Sequence, residues 1–158
     1  MSECAKNFLE NISNIKSIDA VRFDSEAKLP ARTRSEDAGY DLASLEEVTI
    51  QPGCRYLVRT GVGVAIPCGF AGLITPRSGL AAKHGITIVN APGLIDPNYR
   101  GELKVALLNT DKEEPFHILK GDRIAQLVIV PVLTPELKLV DKFDETERGE
   151  AGFGSSGR

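Results

Sequence analysis

From Ala20 onward the chain consists of short apolar and β-branched runs, each cut off by turn residues. The runs are AVRF, EVTI, RYLVRTGVGVAI, FAGLIT, GITIV, LKVALLN, FHIL, RIAQLVIV and LKLV, with QPG, PCG, APG, DPN, NTD and KGD among the breaks. Turn signals recurring every ~8–12 residues predict many short strands rather than helices. Short strands bury their apolar faces by pairing sheets or by closing on themselves. The pattern therefore predicts an all-β sandwich, barrel or jelly roll. No internal repeat is discernible. One stretch departs from the pattern. RSGLAAKHG, residues 77–85, predicts a short helix with Ser78 as N-cap and Gly85 as its stop. Its first turn would present unpaired N–H groups beside Arg77, where an anion can bind. A surface turn with a solvated arginine accounts for the same residues.

At 158 residues the chain has the length of one domain with a real core. A formal net charge of -3 argues against sequence-blind nucleic-acid binding, which needs a basic surface. Any anion site must then be made locally by a few arginines. No apolar run approaches the ~18 residues of a membrane span, and the opening MSECAKNFLENISNI lacks the apolar stretch of a signal peptide. The three cysteines, Cys4, Cys54 and Cys68, have no metal-type spacing. They read as free thiols in a reducing cytoplasm, with Cys54 and Cys68 as small buried or half-buried side chains.

Residues 1–17 read as an extension. Phe8, Leu9, Ile12 and Ile15 recur at roughly helical spacing, so either a short amphipathic helix or a solvated segment fits. The core spans residues 18–142. From residue 143 the chain turns polar and ends in RGEAGFGSSGR, a segment expected to be mobile until something binds it. A phenylalanine there has no core of its own to join.

The stretch NAPGLIDPNYRGELKVALLN, residues 90–109, sets two apolar runs around a Gly/Pro/Asn-rich connection and reads as a β-hairpin. Asp96 before Pro97 and Asn98 is ordinary turn composition. That explanation leaves open why an aspartate, an aromatic and glycine backbone meet near a candidate anion site and an Arg/Phe tail.

Five stretches occur in order: AGYDL (38–42), PRSGLA (76–81), NAPGLIDPNYRGELKV (90–105), GDRIAQLV (121–128) and RGEAGFGSSG (148–157). Together they resemble the five motifs of the trimeric dUTP diphosphatase family, over nearly the whole chain from about residue 20. The N-terminal extension is the main departure. The resemblance implies a jelly-roll homotrimer with active sites at subunit interfaces and Mg²⁺ as cofactor. The implied reaction is hydrolysis of dUTP to dUMP and pyrophosphate, which limits uracil in DNA and supplies dUMP.

The same resemblance implies residue roles. Asp96 would be the general base holding the water that attacks the α-phosphorus. Tyr99 would lie against the deoxyribose and exclude a 2′-hydroxyl by a clash. The backbone from Asn90 to Lys104, Leu94 and Ile95 included, would cradle uracil, and Asn90 would add a contact to the base. Arg77, Ser78, Gly79 and Gln126 would meet phosphates. For Gln126 a polar residue facing out of its strand is the plain alternative. Asp41 would reach Mg²⁺ through water, with turn capping beside Gly39 as its alternative. Arg148 would cross from a neighbouring subunit to the terminal phosphates, Phe153 would stack on uracil, and Gly154, Ser155 and Ser156 would bind phosphate. The related dCTP deaminases would need a different catalytic acid, and LIDPNYRG argues against them. A non-catalytic nucleotide sensor would be expected to lack Asp96, Tyr99 or Arg148.

Overall fold

The computed structural model describes residues 15–150. Within them lie eleven strands and one helix. In chain order these are β1 (Ala20–Arg22), β2 (Gly39–Ala43), β3 (Val48–Ile50), β4 (Arg55–Arg59), β5 (Val62–Val64), β6 (Phe70–Pro76), α1 (Ser78–His84), β7 (Ile86–Ile88), β8 (Gly93–Ile95), β9 (Lys104–Asn109), β10 (Phe116–Ile118) and β11 (Arg123–Pro131). The fold is jelly-roll-like and nearly all β, as the spacing of the runs predicts. A four-stranded sheet runs β2–β11–β6–β8 and a three-stranded one β4–β9–β7, with the two-stranded pairs β1–β5 and β3–β10 beside them. Every pairing is antiparallel.

Alternation decides which side chains go inward. In β9, KVALLN, Val105, Leu107 and Asn109 are buried while Lys104, Ala106 and Leu108 are not. Val105 and Leu107 join Leu42, Ile50, Ile74 and Ile124 in the main core cluster, and Ile15 and Ile18 pack against it from the N-terminal side. Asn109 is polar and fully buried, yet satisfied. Its Nδ2 donates to the carbonyls of Ile50 (3.0 Å) and Glu114 (2.9 Å), and its Oδ1 accepts from Asp111 N–H (3.0 Å).

Several expectations are corrected. The flanks of the 90–109 stretch do not form a hairpin: β8 pairs with β6 and β9 with β4 and β7, so the connection crosses between two sheets. The run RYLVRTGVGVAI is two strands, β4 and β5, broken at Thr60–Gly61 where Gly61 adopts φ 69°. LKLV, residues 137–140, forms no strand, and Leu137 and Leu139 are almost wholly exposed. The helix begins one residue earlier than expected at its cap. Arg77 holds the N-cap position with extended backbone, because β6 runs almost directly into the helix, and Ser78 is the first helical residue. Gly85 ends it at φ 62°, as expected, donating to the carbonyls of Ala81 and Leu80. Cys54 is free and exposed. Cys68 is disulfide-bonded, contrary to the reading as a free thiol, and lies exposed in the β5–β6 turn where a thiol can be approached. The helix considered for residues 1–17 falls mostly outside the described residues.

Candidate active site

Three of the residues singled out from the sequence meet on the four-stranded sheet. Asp41 of β2 stands directly opposite Gln126 of β11, and Gln126 in turn opposite Thr75 of β6. Directly opposed residues project from the same face. Arg77, just beyond the end of β6, reaches back over that row. Its Nε lies 3.2 Å from Asp41 Oδ1, and its Nη1 donates to the Arg123 carbonyl at 2.9 Å. Gln126 is half-buried in this row rather than turned to open solvent, and Asp41 is ion-paired in mid-strand rather than capping a turn.

A fourth member, Arg123, was not singled out. Its Nη1 donates to Asp41 Oδ2 (3.0 Å) and to Thr33 Oγ1 (3.2 Å). Simple alternation along β11 sends residues 123 and 126 to opposite faces. A β-bulge between Arg123 and Ala125 reverses that parity: Arg123 pairs with Ala43 and Gln126 with Asp41, two residues apart on β2. A one-residue slip of this kind leaves no mark in the hydrophobic pattern. The only available signal was the arginine at the head of GDRIAQLV.

Asp41 Oδ1 is buried and accepts no hydrogen bond among the described residues. Its contact with Arg77 Nε is charge to charge, without the alignment of a hydrogen bond. The cluster opens into a cleft of about 390 Å³ to which Arg34 and Asp37 also contribute. Three arginines against two aspartates leave it locally cationic in a chain whose net charge is -3. The loop over the cleft is held down by Arg32, 5.1 Å above the Tyr40 ring, and by Asp41 N–H bonding the Ala31 carbonyl at 2.8 Å. Ser78 and Gly79 begin the helix beside Arg77.

The second group lies on the β8–β9 crossing. Tyr99 N–H closes a turn onto the Asp96 carbonyl at 3.1 Å, as the Asp-Pro-Asn composition predicts. The Asp96 carboxylate is exposed and makes no hydrogen bond or ion pair among the described residues. Tyr99 donates its hydroxyl to the Glu102 carbonyl at 2.9 Å. Upstream, a cis Ala91–Pro92 bond separates Asn90 from β8, and the Asn90 amide lies near Gly93, about 3.5 Å from where a Cβ would project. Leu94 is 63% exposed despite sitting in a strand. Ile95 is half-buried opposite Gly72, and Lys104 opens β9 on the exposed side.

The two groups do not meet within one chain. Ile95 pairs with Gly72, whereas Gln126 pairs with Thr75. Asp96 is thus about four residues along and two strands across from Gln126, roughly 16 Å away at sheet spacings. Arg148 lies in the stretch after β11 where no helix or strand occurs among the described residues. Phe153, Gly154, Ser155 and Ser156 fall outside the described residues.

The sequence model of the dUTPase family matches residues 25–157. The chain belongs to the dUTPase family. A deoxyuridine 5′-triphosphate nucleotidohydrolase of Corynebacterium efficiens is 52% identical over 149 residues, covering 94% of this chain and 82% of that protein. Among solved structures, a mutant dUTPase of Staphylococcus bacteriophage 80alpha, solved with dUpNHpp, superposes with a TM-score of 0.84 at 36% identity. That match covers 90% of this chain and 99% of the phage chain. A mutant dUTPase from phage phi11 of S. aureus, described with a structural Mg(II) ion, matches with a TM-score of 0.76 at 32% identity over 82% of this chain and 99% of that one.

Proposed function

We propose that this dUTPase-family chain hydrolyses dUTP to dUMP and pyrophosphate at sites completed only between subunits. Dispersal of the two groups carries the second half of that reading. A cationic cleft built by Asp41, Arg77, Arg123 and Gln126 and an uncompensated carboxylate at Asp96 stand roughly 16 Å apart in one chain. A compact nucleotide needs both at once, so neighbouring copies must bring them together. The assembly in this reading is a homotrimer with three such sites, its C-terminal arms exchanged between subunits.

In this reading the triphosphate enters the cationic cleft. Arg77 and Gln126 hold phosphate oxygens, with Ser78 and Gly79 alongside. Asp96 orients a water for in-line attack on the α-phosphorus and takes its proton. An exposed carboxylate with no partner among the described residues suits that task, since none of them competes for its lone pairs. The ring of Tyr99 occupies the space a 2′-hydroxyl would need, and the backbone from Asn90 to Lys104, through Leu94 and Ile95, faces uracil. Arg148, Phe153, Gly154, Ser155 and Ser156 close over the nucleotide.

Mg²⁺ fits the phosphate side. The buried Asp41 Oδ1, without a hydrogen bond and facing the cleft, suits a water on a hydrated cation. No cluster of three metal-ligating side chains occurs among the described residues, so phosphates would supply the remaining direct ligands. The ion would neutralise charge on the phosphates. We assign residues 1–17 to an extension, 18–142 to the core and 143–158 to the arm. No helix among the described residues is long and apolar enough to cross a membrane. A cytoplasmic location is part of the same proposal and rests on the family resemblance.

The decisive assay measures pyrophosphate release from dUTP, dTTP, dCTP and UTP, together with deamination of dCTP. Strong preference for dUTP with no deamination is expected. Deamination would make the chain a dCTP-deaminase relative, and tight dUTP binding with no release would make it a sensor.

A further inference from the structure

Tyr99 belongs to a turn with almost no regular structure, yet its ring has one defined place. Two contacts hold it, and a third seats the turn beneath. The phenol donates to the Glu102 carbonyl at 2.9 Å. The ring packs on Gly101 so closely that a Cβ there would come within 2.6 Å of Tyr99 Cζ. Beneath both, the Gly101 carbonyl rests on β5 at Gly63, where a Cβ would lie 3.0 Å from it.

What fastens this turn to the sheet is the side chain of Glu102, of which only 13% is exposed. Its Oε1 accepts Gly61 N–H at 2.8 Å and Arg59 Nε–H at 3.2 Å, and its Oε2 lies 3.3 Å from the same Nε and 4.0 Å from Lys104 Nζ. Gly61 is a corner that admits no side chain: at φ 69° a Cβ would fall 2.8 Å from Ala27 Cβ and 2.9 Å from Leu45 Cδ2. The carboxylate is therefore clamped to a rigid point of the fold. Leu103 continues the attachment, its N–H donating to the Val62 carbonyl at 2.7 Å.

We propose that Glu102 is a positioning residue: its side chain pins the carbonyl on which Tyr99 rests and so fixes the ring that selects deoxyribose. The second clause rests on the sugar-facing role proposed for Tyr99. The Glu102 side chain is turned to Arg59 and Gly61 and would not itself meet the substrate. It acts because a backbone carbonyl locates a phenol only as well as it is itself located, and ångström-scale misplacement can cost up to ~10²-fold in rate.

The test uses the full-length enzyme in its assembled state. Glu102→Ala removes the clamp, Glu102→Gln keeps an acceptor for Gly61 N–H, and Tyr99→Ala provides the reference. The first readout is the ratio of kcat/KM for dUTP to that for UTP. Glu102→Ala should lower the ratio by about tenfold, in the direction of Tyr99→Ala, while Glu102→Gln stays within about threefold of wild type. The second readout is the ring resonances of ¹³C-labelled tyrosine, assigned to Tyr99 by their loss in Tyr99→Phe. They should shift in Glu102→Ala and return in Glu102→Gln. If Glu102→Ala does not fold, Glu102→Asp, which withdraws the carboxylate by one methylene, replaces it in both measurements. An unmoved Tyr99 resonance overturns the proposal, as does an equal fall on both substrates with the ratio unchanged while Tyr99→Ala does change it. If the resonance shifts and Tyr99→Ala leaves the ratio unchanged, the positioning role stands and the sugar-facing reading of Tyr99 is the part that fails.

Discussion

The cleft on the four-stranded sheet and the turn from Asp96 to Glu102 both carry an aspartate, and the two aspartates are treated in opposite ways. Asp41 is largely buried in mid-strand and ion-paired to Arg77 and Arg123. Asp96 sits on an exposed turn, and its carboxylate has no partner among the described residues. On the proposed roles, the difference matches what each would meet. A polyanion binds by exchanging partners with cations that are already in place, so a resident carboxylate keeps the arginines ordered while the cleft is empty. A group that orients water gains from having no resident partner, since each hydrogen bond to the protein would occupy a lone pair the water needs. The backbone follows the same division. The cleft residues are held by three strands, whereas the turn is held by the Glu102 carboxylate and by hydrogen bonds at the Leu103 backbone.

The sharpest way to break this comparison is to ask whether either region works without the arm. Arg148→Ala should lower turnover by ~10³–10⁵-fold if that arginine acts as a finger on the phosphates of a neighbouring subunit. Nucleotide affinity should fall much less, because the cleft and the turn both remain. Single-turnover rates beside equilibrium binding of dUpNHpp separate the two effects. A variant turning over at close to the wild-type rate would mean that the two regions suffice alone.

Next in size is the uncompensated carboxylate itself. Asp96→Asn keeps the turn, which is closed by backbone atoms of Asp96 and Tyr99. It should keep thermal stability and dUpNHpp affinity near wild type. Turnover should fall by at least ~10²-fold, the lower end for loss of a general base. A kcat within a few-fold of wild type, measured by proton or pyrophosphate release, would remove Asp96 from the chemistry.

The fold was legible because the chain alternates cleanly where one face is buried. Val105, Leu107 and Asn109 could be assigned inward from spacing alone, and Gly85 ends the helix for the steric reason its type suggests. Pairing between distant strands was less legible. Nothing between Asn90 and Lys104 tells that β8 and β9 belong to different sheets, because a turn-rich connection looks alike whether it folds back or crosses over. The bulge that brings Arg123 to Asp41 changes register by one residue and no residue type by necessity. Glu102 was invisible as a clamp for a related reason: a glutamate on a turn reads as solvated until its depth beneath Gly61 is known. Cys68 was misread because an odd cysteine count carries no information on which thiols pair.

The smallest expected effect concerns the Asp41 side of the comparison, and its sign depends on metal. Asp41 holds two arginines that the phosphates would also claim, so without Mg²⁺ it competes with the ligand. Asp41→Asn keeps the shape and removes the charge. In chelator, dUpNHpp should bind the variant as tightly as wild type or up to about fivefold more tightly, the scale of ~1 kcal/mol for a partly exposed ion pair. With Mg²⁺ the sign should reverse. The hydrated cation then lies between carboxylate and phosphate, and losing the negative charge at the buried Oδ1 removes an acceptor for its waters. Titration calorimetry of both proteins in chelator and in Mg²⁺ gives the four affinities. A variant weakened equally in both conditions would show that Asp41 merely orders Arg77 and Arg123. A variant unchanged in both would show that the cleft aspartate is dispensable to the nucleotide despite its two ion pairs, leaving Asp96 as the one aspartate of the pair with a function.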